Sequence, residues 1–298
     1  MDPFDRICVL IPTINESTLP AVVEAVKSQA PSIEILILGY GSAGDVAKAQ
    51  GVHFLDFGKR TLKTIALNKG VESTDRDWII NLDADAVPQP GWAQAMLREF
   101  ENGRQLFSPS VDISVGNIWM RVHNLSMFHE FLPGRPASFR KYLPGISLAY
   151  TRDFYRRNGP FGEKLERAED FDWSLRAYLN GETPFFTPAP VVRHLPVEKD
   201  TFQSLMRLWY AGGYEIWLLR IKYSSVLHTP FFFKSPFFIL LTSPLLALQP
   251  TFRILRTSPA AFFRNIHLIP FVYLTKLVWC FGVYAGARRA TTAMKKQP

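Results

Sequence analysis

The chain has little cysteine and, in one region, almost no acid. Cys8 and Cys280 stand far apart in apolar surroundings, which excludes a disulfide framework and suits a reducing, cytosolic setting for a catalytic part. Residues 201–298 contain Glu215 as their one acid against 12 Lys+Arg, a net +11. Residues 1–200 carry 22 Lys+Arg against 25 Asp+Glu, a net −3, and the two sum to the chain's +8. Charge divided this way suits a basic segment facing anionic lipid or nucleic acid. The basic part also holds Phe231-Phe232-Phe233, Phe237-Phe238, Phe262-Phe263 and several Trp and Tyr among long apolar runs. That mixture points to a membrane surface and argues against a nucleic-acid partner. Residues 1–6 lack a basic stretch followed by an apolar one, so no secretory signal is expected there. There is no internal repeat and no low-complexity tract, which excludes solenoid folds.

What is present in the first part alternates. Ile7–Ile11 is a β-branched run closed by Pro12. Leu19, Val22, Val23 and Val26 follow at helical spacing behind Pro20. Ile35–Leu38 and Val52–Phe57 read as strands, Thr61–Val71 as a helix, and Trp78–Leu82 as a buried strand. The alternation predicts a doubly wound, mostly parallel α/β sheet. Residues 103–150 are punctuated by Gly and Pro and read as irregular. A helix is expected from Glu169 to Asn180, stopped by Gly181, with Phe171, Leu175, Tyr178 and Leu179 as its apolar face.

After Pro196 the character changes, which places a catalytic domain at 1–200 and a helical membrane-associated region at 201–298. Thr201–Tyr223 predicts an amphipathic helix. Pro236–Leu248 is apolar but short and contains Pro244. Leu268–Ala287 is long enough to span a bilayer, yet Lys276 lies in its middle, at a cost of about 2.5–3.5 kcal/mol on insertion scales. A two-span hairpin would translocate Arg253, Arg256 and Arg264 while the tail Arg288-Arg289…Lys295-Lys296 stays inside. The positive-inside tendency therefore favours helices lying in, or re-entering, the cytoplasmic leaflet. A wholly soluble core is the plainer alternative.

The stretch Trp78-Ile79-Ile80-Asn81-Leu82-Asp83-Ala84-Asp85 ends an apolar strand in two carboxylates one residue apart. Open α/β sheets bind ligands at that end. Two close carboxylates repel unless a cation sits nearby, and hard divalent cations take oxygen ligands. The functional reading is a Mg²⁺ or Mn²⁺ site carrying a phosphorylated ligand; the plain one is a solvated turn. Lys59, Arg60 and Lys63, at the entry to a helix, can meet phosphate or form an ordinary solvated face. Glu169, Asp170 and Asp172 also suit a helix first turn for reasons of its dipole alone.

Four pieces in order resemble an inverting family 2 glycosyltransferase of GT-A fold, over about residues 6–196. Val9-Leu10-Ile11-Pro12-Thr13-Ile14-Asn15-Glu16 resembles the opening strand and nucleotide-contacting loop. Asp83-Ala84-Asp85 resembles the DxD motif. Gly145-Ile146-Ser147-Leu148-Ala149-Tyr150 with Gly159-Pro160-Phe161-Gly162-Glu163 resembles the acceptor-side region. Ala168-Glu169-Asp170-Phe171-Asp172, then Arg176 and later His194, resembles the catalytic-base helix and its distal histidine. The resemblance implies donor contacts at Pro12, Thr13, Asn15, Glu16 and Asp83-Ala84-Asp85. It implies a metal on Asp85 and His194, and acceptor contacts at Gly145, Ile146 and Glu163. Asp170 becomes the general base, with Glu169 as the neighbour that serves instead or orients the acceptor. A carboxylate titrating at about 4 is ionised at neutral pH and ready to accept a proton. His194 on its own reads first as a structural histidine.

One departure stands out. The pair of acids the family places after its second strand is missing; Leu38-Gly39-Tyr40-Gly41-Ser42 stands there, leaving uridine or guanosine donors open and Tyr40 as a stacking candidate. The expectation is thus hexosyl transfer from a UDP- or GDP-sugar to a lipid-linked or polysaccharide acceptor at the cytoplasmic face of the membrane, in glycolipid or polysaccharide synthesis. A non-catalytic nucleotide-sugar-binding subunit and a nucleotidyltransferase are the alternatives.

Overall fold

The computed structural model describes residues 2–294. Its contacts divide the chain into two units, 1–113 with 131–195, and 114–130 with 196–298. This differs from a single cut after residue 200, because the stretch 114–130 joins the helices that follow it in sequence by some seventy residues or more.

The first unit alternates as the periodicity predicts, through β1 (Ile7–Pro12), α1 (Leu19–Lys27), β2 (Glu34–Gly39), α2 (Ala43–Gln50), β3 (His53–Asp56), α3 (Lys63–Glu72), β4 (Trp78–Leu82), β5 (Ala86–Pro88), α4 (Trp92–Glu101) and β6 (Leu106–Asp112). The helix α5 (Ile118–Phe128) belongs to the other unit; β7 (Ser138–Phe139), β8 (Ser147–Thr151), α6 (Arg152–Asn158), α7 (Glu169–Leu179) and β9 (Phe185–His194) complete the first. The strand order is β3-β2-β1-β4-β8-β6-β9-β5, with β7 on β9. Strands β1, β2, β3 and β4 are parallel neighbours. Ile7 to Ile11 and Ile79, Ile80 and Leu82 are fully buried, as the central strands of a sheet covered on both faces require.

The sheet is mixed rather than mostly parallel. Strand β8 runs antiparallel to both β4 and β6, and β5 and β7 run antiparallel to β9. Three of these strands, β6, β7 and β8, fall in the stretch that the Gly and Pro punctuation makes look irregular. Strand β9 carries Pro188 and Pro190, which cannot donate to a ladder. Its register against β6 shifts there, and Ser110 Oγ donates to both proline carbonyls.

Helix α7 presents a different face from the one expected. Trp173, Leu175 and Ala177 are buried while Tyr178 and Leu179 are exposed. Trp173 decides the orientation: it stacks on Phe161 at 4.4 Å, meets Tyr150 and Phe154 edge-on, and donates its indole N–H to Gly159 O. One large aromatic with a satisfied polar atom outweighs several half-apolar residues.

The second unit contains α5, α8 (Phe202–Lys222), α9 (Ser224–Leu227), α10 (Pro236–Thr257), α11 (Pro259–Arg264) and α12 (Ile269–Met294). A capping box of Thr201 and Ser204 starts α8. Helix α10 runs straight through Pro244 and Pro250 instead of ending near Leu248. Just upstream of Pro244, the hydroxyls of Thr242 and Ser243 bond back to Phe238 O and Ile239 O, a pattern that lets a helix absorb a bend. Lys276 lies with its Nζ 3.9 Å from the Trp209 ring centroid, a cation–π contact that accounts for a lysine inside an apolar helix. Pro236–Thr257 and Ile266–Ala290 are long and apolar enough to cross a membrane, with 22% and 33% of their apolar windows buried. Lys295 and Lys296 of the basic tail lie outside the described residues.

Helices α8 and α12 touch backbone to backbone. A Cβ on Gly213 would sit 2.0 Å from Trp279 O, and one on Gly282 would sit 2.0 Å from Tyr210 O. Close approach through small residues is how helices associate where apolar surroundings offer no hydrophobic drive. The adjacent Gly212 has nothing within 4 Å of the added carbon. Gly213→Ala is therefore expected to destabilise the full chain by about 1–3 kcal/mol or more. Gly212→Ala should instead be neutral or stabilising by up to about 1 kcal/mol; thermal melting of both variants in detergent checks this opposition of sign.

Candidate active site

The Asp83-Ala84-Asp85 turn leaves the carboxyl end of β4 and is clamped on several sides. Asp83 N donates to Ile146 O at 3.0 Å, and Leu195 N donates to Asp85 O at 2.8 Å. Thr18 Oγ1, at the head of α1, donates to Ala84 O at 2.7 Å. The β5–β9 register pairs Ala86 with His194, and this brings His194 Nε2 within 3.3 Å of Asp85 Oδ2. His194 is buried.

The second acidic group comes from the start of α7. Ala168 holds a left-handed φ of 57°, a conformation uncommon for a residue with a Cβ, and it turns the chain into the helix so that Glu169 and Asp170 occupy the first turn. Lys63, the first residue of α3, joins the two groups: its Nζ lies 2.6 Å from Asp83 Oδ1 and 3.1 Å from Glu169 Oε1. Burial disfavours the ammonium, but Asp83 and Glu169 outweigh it and hold Lys63 protonated well above the ordinary lysine range. The Asp83 carboxyl is raised by burial, against the pull of Lys63 and with the push of Asp85.

Asp170 departs from the expectation of an ordinary carboxylate. Burial, and then the charge of Glu169 beside it, push its pKa up to about 7. Two backbone amides hold it in place: Gly145 N donates to Oδ2 at 2.6 Å and Phe171 N to Oδ1 at 2.8 Å. Gly145 packs closely on this acid: a Cβ there would stand 3.0 Å from Asp170 Cβ and press on it. Gly145 thus touches the expected base directly, and Ile146 touches the Asp83 turn through its carbonyl.

The remaining expected residues divide. Pro12 ends β1, and the loop behind it is knit by short bonds: Thr13 Oγ1 to Glu16 Oε2 at 2.5 Å, and Ile14 N to the same oxygen at 2.8 Å. Asn15, at φ 73°, accepts from Ser42 Oγ and Ala43 N, which ties this loop to the segment following half-buried Tyr40. Lys59 and Arg60 lie exposed in the loop before α3; Lys63, four residues on from Lys59, is the cation that reaches the acids. Glu163 is exposed, and its charge bears on Lys69 and Tyr155 rather than on the acidic cluster. Two residues outside the expected catalytic and binding set pin the nearby loop. The Asn68 side-chain amide donates to Phe161 O and accepts from Phe161 N, and Arg176 donates to Asn158 O and Pro160 O. The helix-interior Asn68, buried among apolar neighbours, was the available signal for the first.

Among the described residues no three His, Cys, Asp or Glu side chains form a complete metal cage. Asp85 and His194 supply one oxygen and one nitrogen. That suits a hard divalent cation that takes its other ligands from water and phosphate, as Mg²⁺ commonly does. The raised proton affinity of Asp170 has a consequence for stability. An acid that binds its proton more tightly folded than unfolded contributes stability below its unfolded pKa, and this is lost as pH rises through the folded one. Wild type is expected to lose stability relative to Asp170→Asn between about pH 4 and about pH 7, with a constant difference above that range; urea denaturation across pH measures it.

Comparison with known proteins now bears on this site. The family described as Glycosyl transferase family 2 matches residues 8–160. No curated protein matches the chain. The solved structure of the mannosyltransferase PcManGT from Pyrobaculum calidifontis, in complex with GDP-Man and Mn²⁺, is similar at 15% identity and a TM-score of 0.60. The likeness covers 98% of this chain and 88% of that one. GalNAc-T7, solved with UDP, GalNAc and Mn²⁺, is similar at 17% identity and a TM-score of 0.52, over 68% of this chain and 47% of that one. These likenesses carry the fold, which is GT-A-like, and the family match spans just over half of the sequence, including both the acidic turn and its Lys63 partner; the chain belongs to glycosyl transferase family 2.

Proposed function

We propose that this chain transfers a hexosyl group from a nucleotide-sugar donor to an acceptor hydroxyl in one inverting displacement. The observation that carries this reading is Lys63, which joins the Asp83 turn and the Glu169–Asp170 helix start at 2.6 and 3.1 Å. Carboxylates from distant parts of the chain thereby converge, and a donor on one side and an acceptor on the other fit that arrangement. The similar structures hold GDP-Man or UDP, which supports a GDP- or UDP-sugar here. Asp85 and His194 would hold Mn²⁺ or Mg²⁺. Once bound, such an ion neutralises charge on the departing diphosphate.

Glu169 is tied to Lys63, whereas Asp170 is held only by two backbone amides. This favours Asp170 as the base, with a carboxylate oxygen receiving the acceptor's hydroxyl proton. A pKa of about 7 makes it a stronger base than an ordinary aspartate while still largely ionised just above neutrality. Glu169 and Lys63 keep the local charge balanced. Direct attack at the anomeric carbon with loss of the nucleoside diphosphate inverts that centre and needs no covalent sugar–enzyme intermediate.

The second unit supports a lipid-linked or polysaccharide acceptor, met at the cytoplasmic face of a membrane. Phe237, Leu241, Leu245 and Phe252 of α10 are 66, 64, 72 and 62% exposed, an apolar load a soluble surface seldom carries. Incubation of the full chain with UDP- and GDP-sugars and Mn²⁺ is expected to release nucleoside diphosphate; pyrophosphate would mean nucleotidyl transfer. Donor binding without any release by wild type would leave the non-catalytic subunit. Asp170→Asn should retain donor affinity and lose about 10²–10⁴-fold in transfer rate. The wild-type rate should climb with pH through about 7.

A further inference from the structure

We propose that the carboxyl-terminal turns of α10 dock the phosphate headgroups of anionic phospholipids in the bilayer. This rests on the membrane reading above and deepens it by naming the lipid class and the residues that recognise it. A groove of about 480 Å³ is lined by Gln249, Phe252, Arg253, Arg256 and Thr257. Their spacing of i, i+3, i+4, i+7 and i+8 puts them on one face of the helix. Towards the amino-terminal end the same face continues through Leu245, Leu241 and Phe238, which are 72, 64 and 44% exposed. The face is thus apolar for its first turns and cationic for its last, with Leu245 and Arg253 separated by about 12 Å along the axis.

That gradient matches an anionic lipid lying against the helix, acyl chains on the leucines and phosphate on the arginines. Arg253 is fixed in place by Glu130, whose Oε1 lies 2.5 Å from Nη1. Arg256 is exposed and has no ion-pair partner among the described residues. Two guanidinium groups beside one carboxylate leave a net positive charge, and their planar forks suit phosphate oxygens. His129, buried against this corner, has Nε2 3.9 Å from Glu130 Oε1 and without a hydrogen-bond partner. Nucleic acid shares the phosphate but offers nothing to cover Leu241, Leu245 and Phe252. A bilayer covers them.

The test is flotation of the purified full chain with vesicles of phosphatidylcholine alone, or of phosphatidylcholine mixed with phosphatidylglycerol, at low ionic strength. Wild type is expected to bind the anionic vesicles more tightly. Each arginine near such a surface should contribute about fivefold, so R253Q/R256Q should lose roughly 25-fold on anionic vesicles and keep its affinity for neutral ones. R253K/R256K, which retains the charges, should recover most of that loss. Equal binding of wild type to both vesicle types overturns the proposal, and so does an equal loss from R288Q/R289Q, which would assign the effect to net charge. Binding of inorganic phosphate without vesicles at comparable affinity would also overturn it, making this a soluble anion site. Failure of wild type to bind any vesicle refutes the membrane reading as well. Nucleoside diphosphate release, measured without vesicles, tests the transferase separately.

Discussion

One ammonium set among carboxylates governs the first unit. Asp83 and Glu169 contact Lys63, Asp170 lies within its electrostatic reach and Asp85 within that of Asp83, and partial burial strengthens every charge interaction there. Without that cation the acids would repel or take up protons. With it, they sit together at the carboxyl ends of the central strands, where an α/β sheet presents ligands. The distribution of protons follows from the same arrangement: Asp83 and Glu169 are held in ion pairs with Lys63, and burial raises the proton affinity of both Asp83 and Asp170.

The sheet supplies the rigidity this arrangement needs. The acidic turn receives bonds from the β8 side, from the residue after β9 and from the head of α1, so its backbone is held as firmly as a strand. His194 meets Asp85 only because β5 and β9 pair antiparallel at Ala86. The reversal of strand direction in the second half of the sheet is therefore part of how the site is built, since a purely parallel sheet would not return β9 beside the acidic turn in this register.

Much of this was legible in the sequence, for reasons that differ by element. Leu19, Val22, Val23 and Val26 announced α1 and are its buried residues; strong periodicity survives folding. The run before Asp83 marks β4 because a strand covered on both faces has no solvent-facing positions to blur it, and its one polar residue, Asn81, is buried and accepts from Tyr150 Oη. The face of α7 was misread because Tyr178 and Leu179 are apolar by type, while the deciding contact, Trp173 on Phe161, joins residues from separate elements. The pKa of Asp170 was likewise invisible, since it depends on burial and on Glu169 in a fold no local pattern encodes. In the sequence, Lys63 shows only its charge. Its placement between two acids needed the whole sheet.

Asn68 and Arg176 fasten the 158–161 segment from two sides, and Ala168 begins the base-bearing helix in a fixed left-handed turn. Between these anchors, Glu163, Lys164, Glu166 and Arg167 are exposed. Variation in that short arc, even a change in its length, leaves both moorings intact, so this segment is free to diverge without moving the turn that sets Glu169 and Asp170 in place.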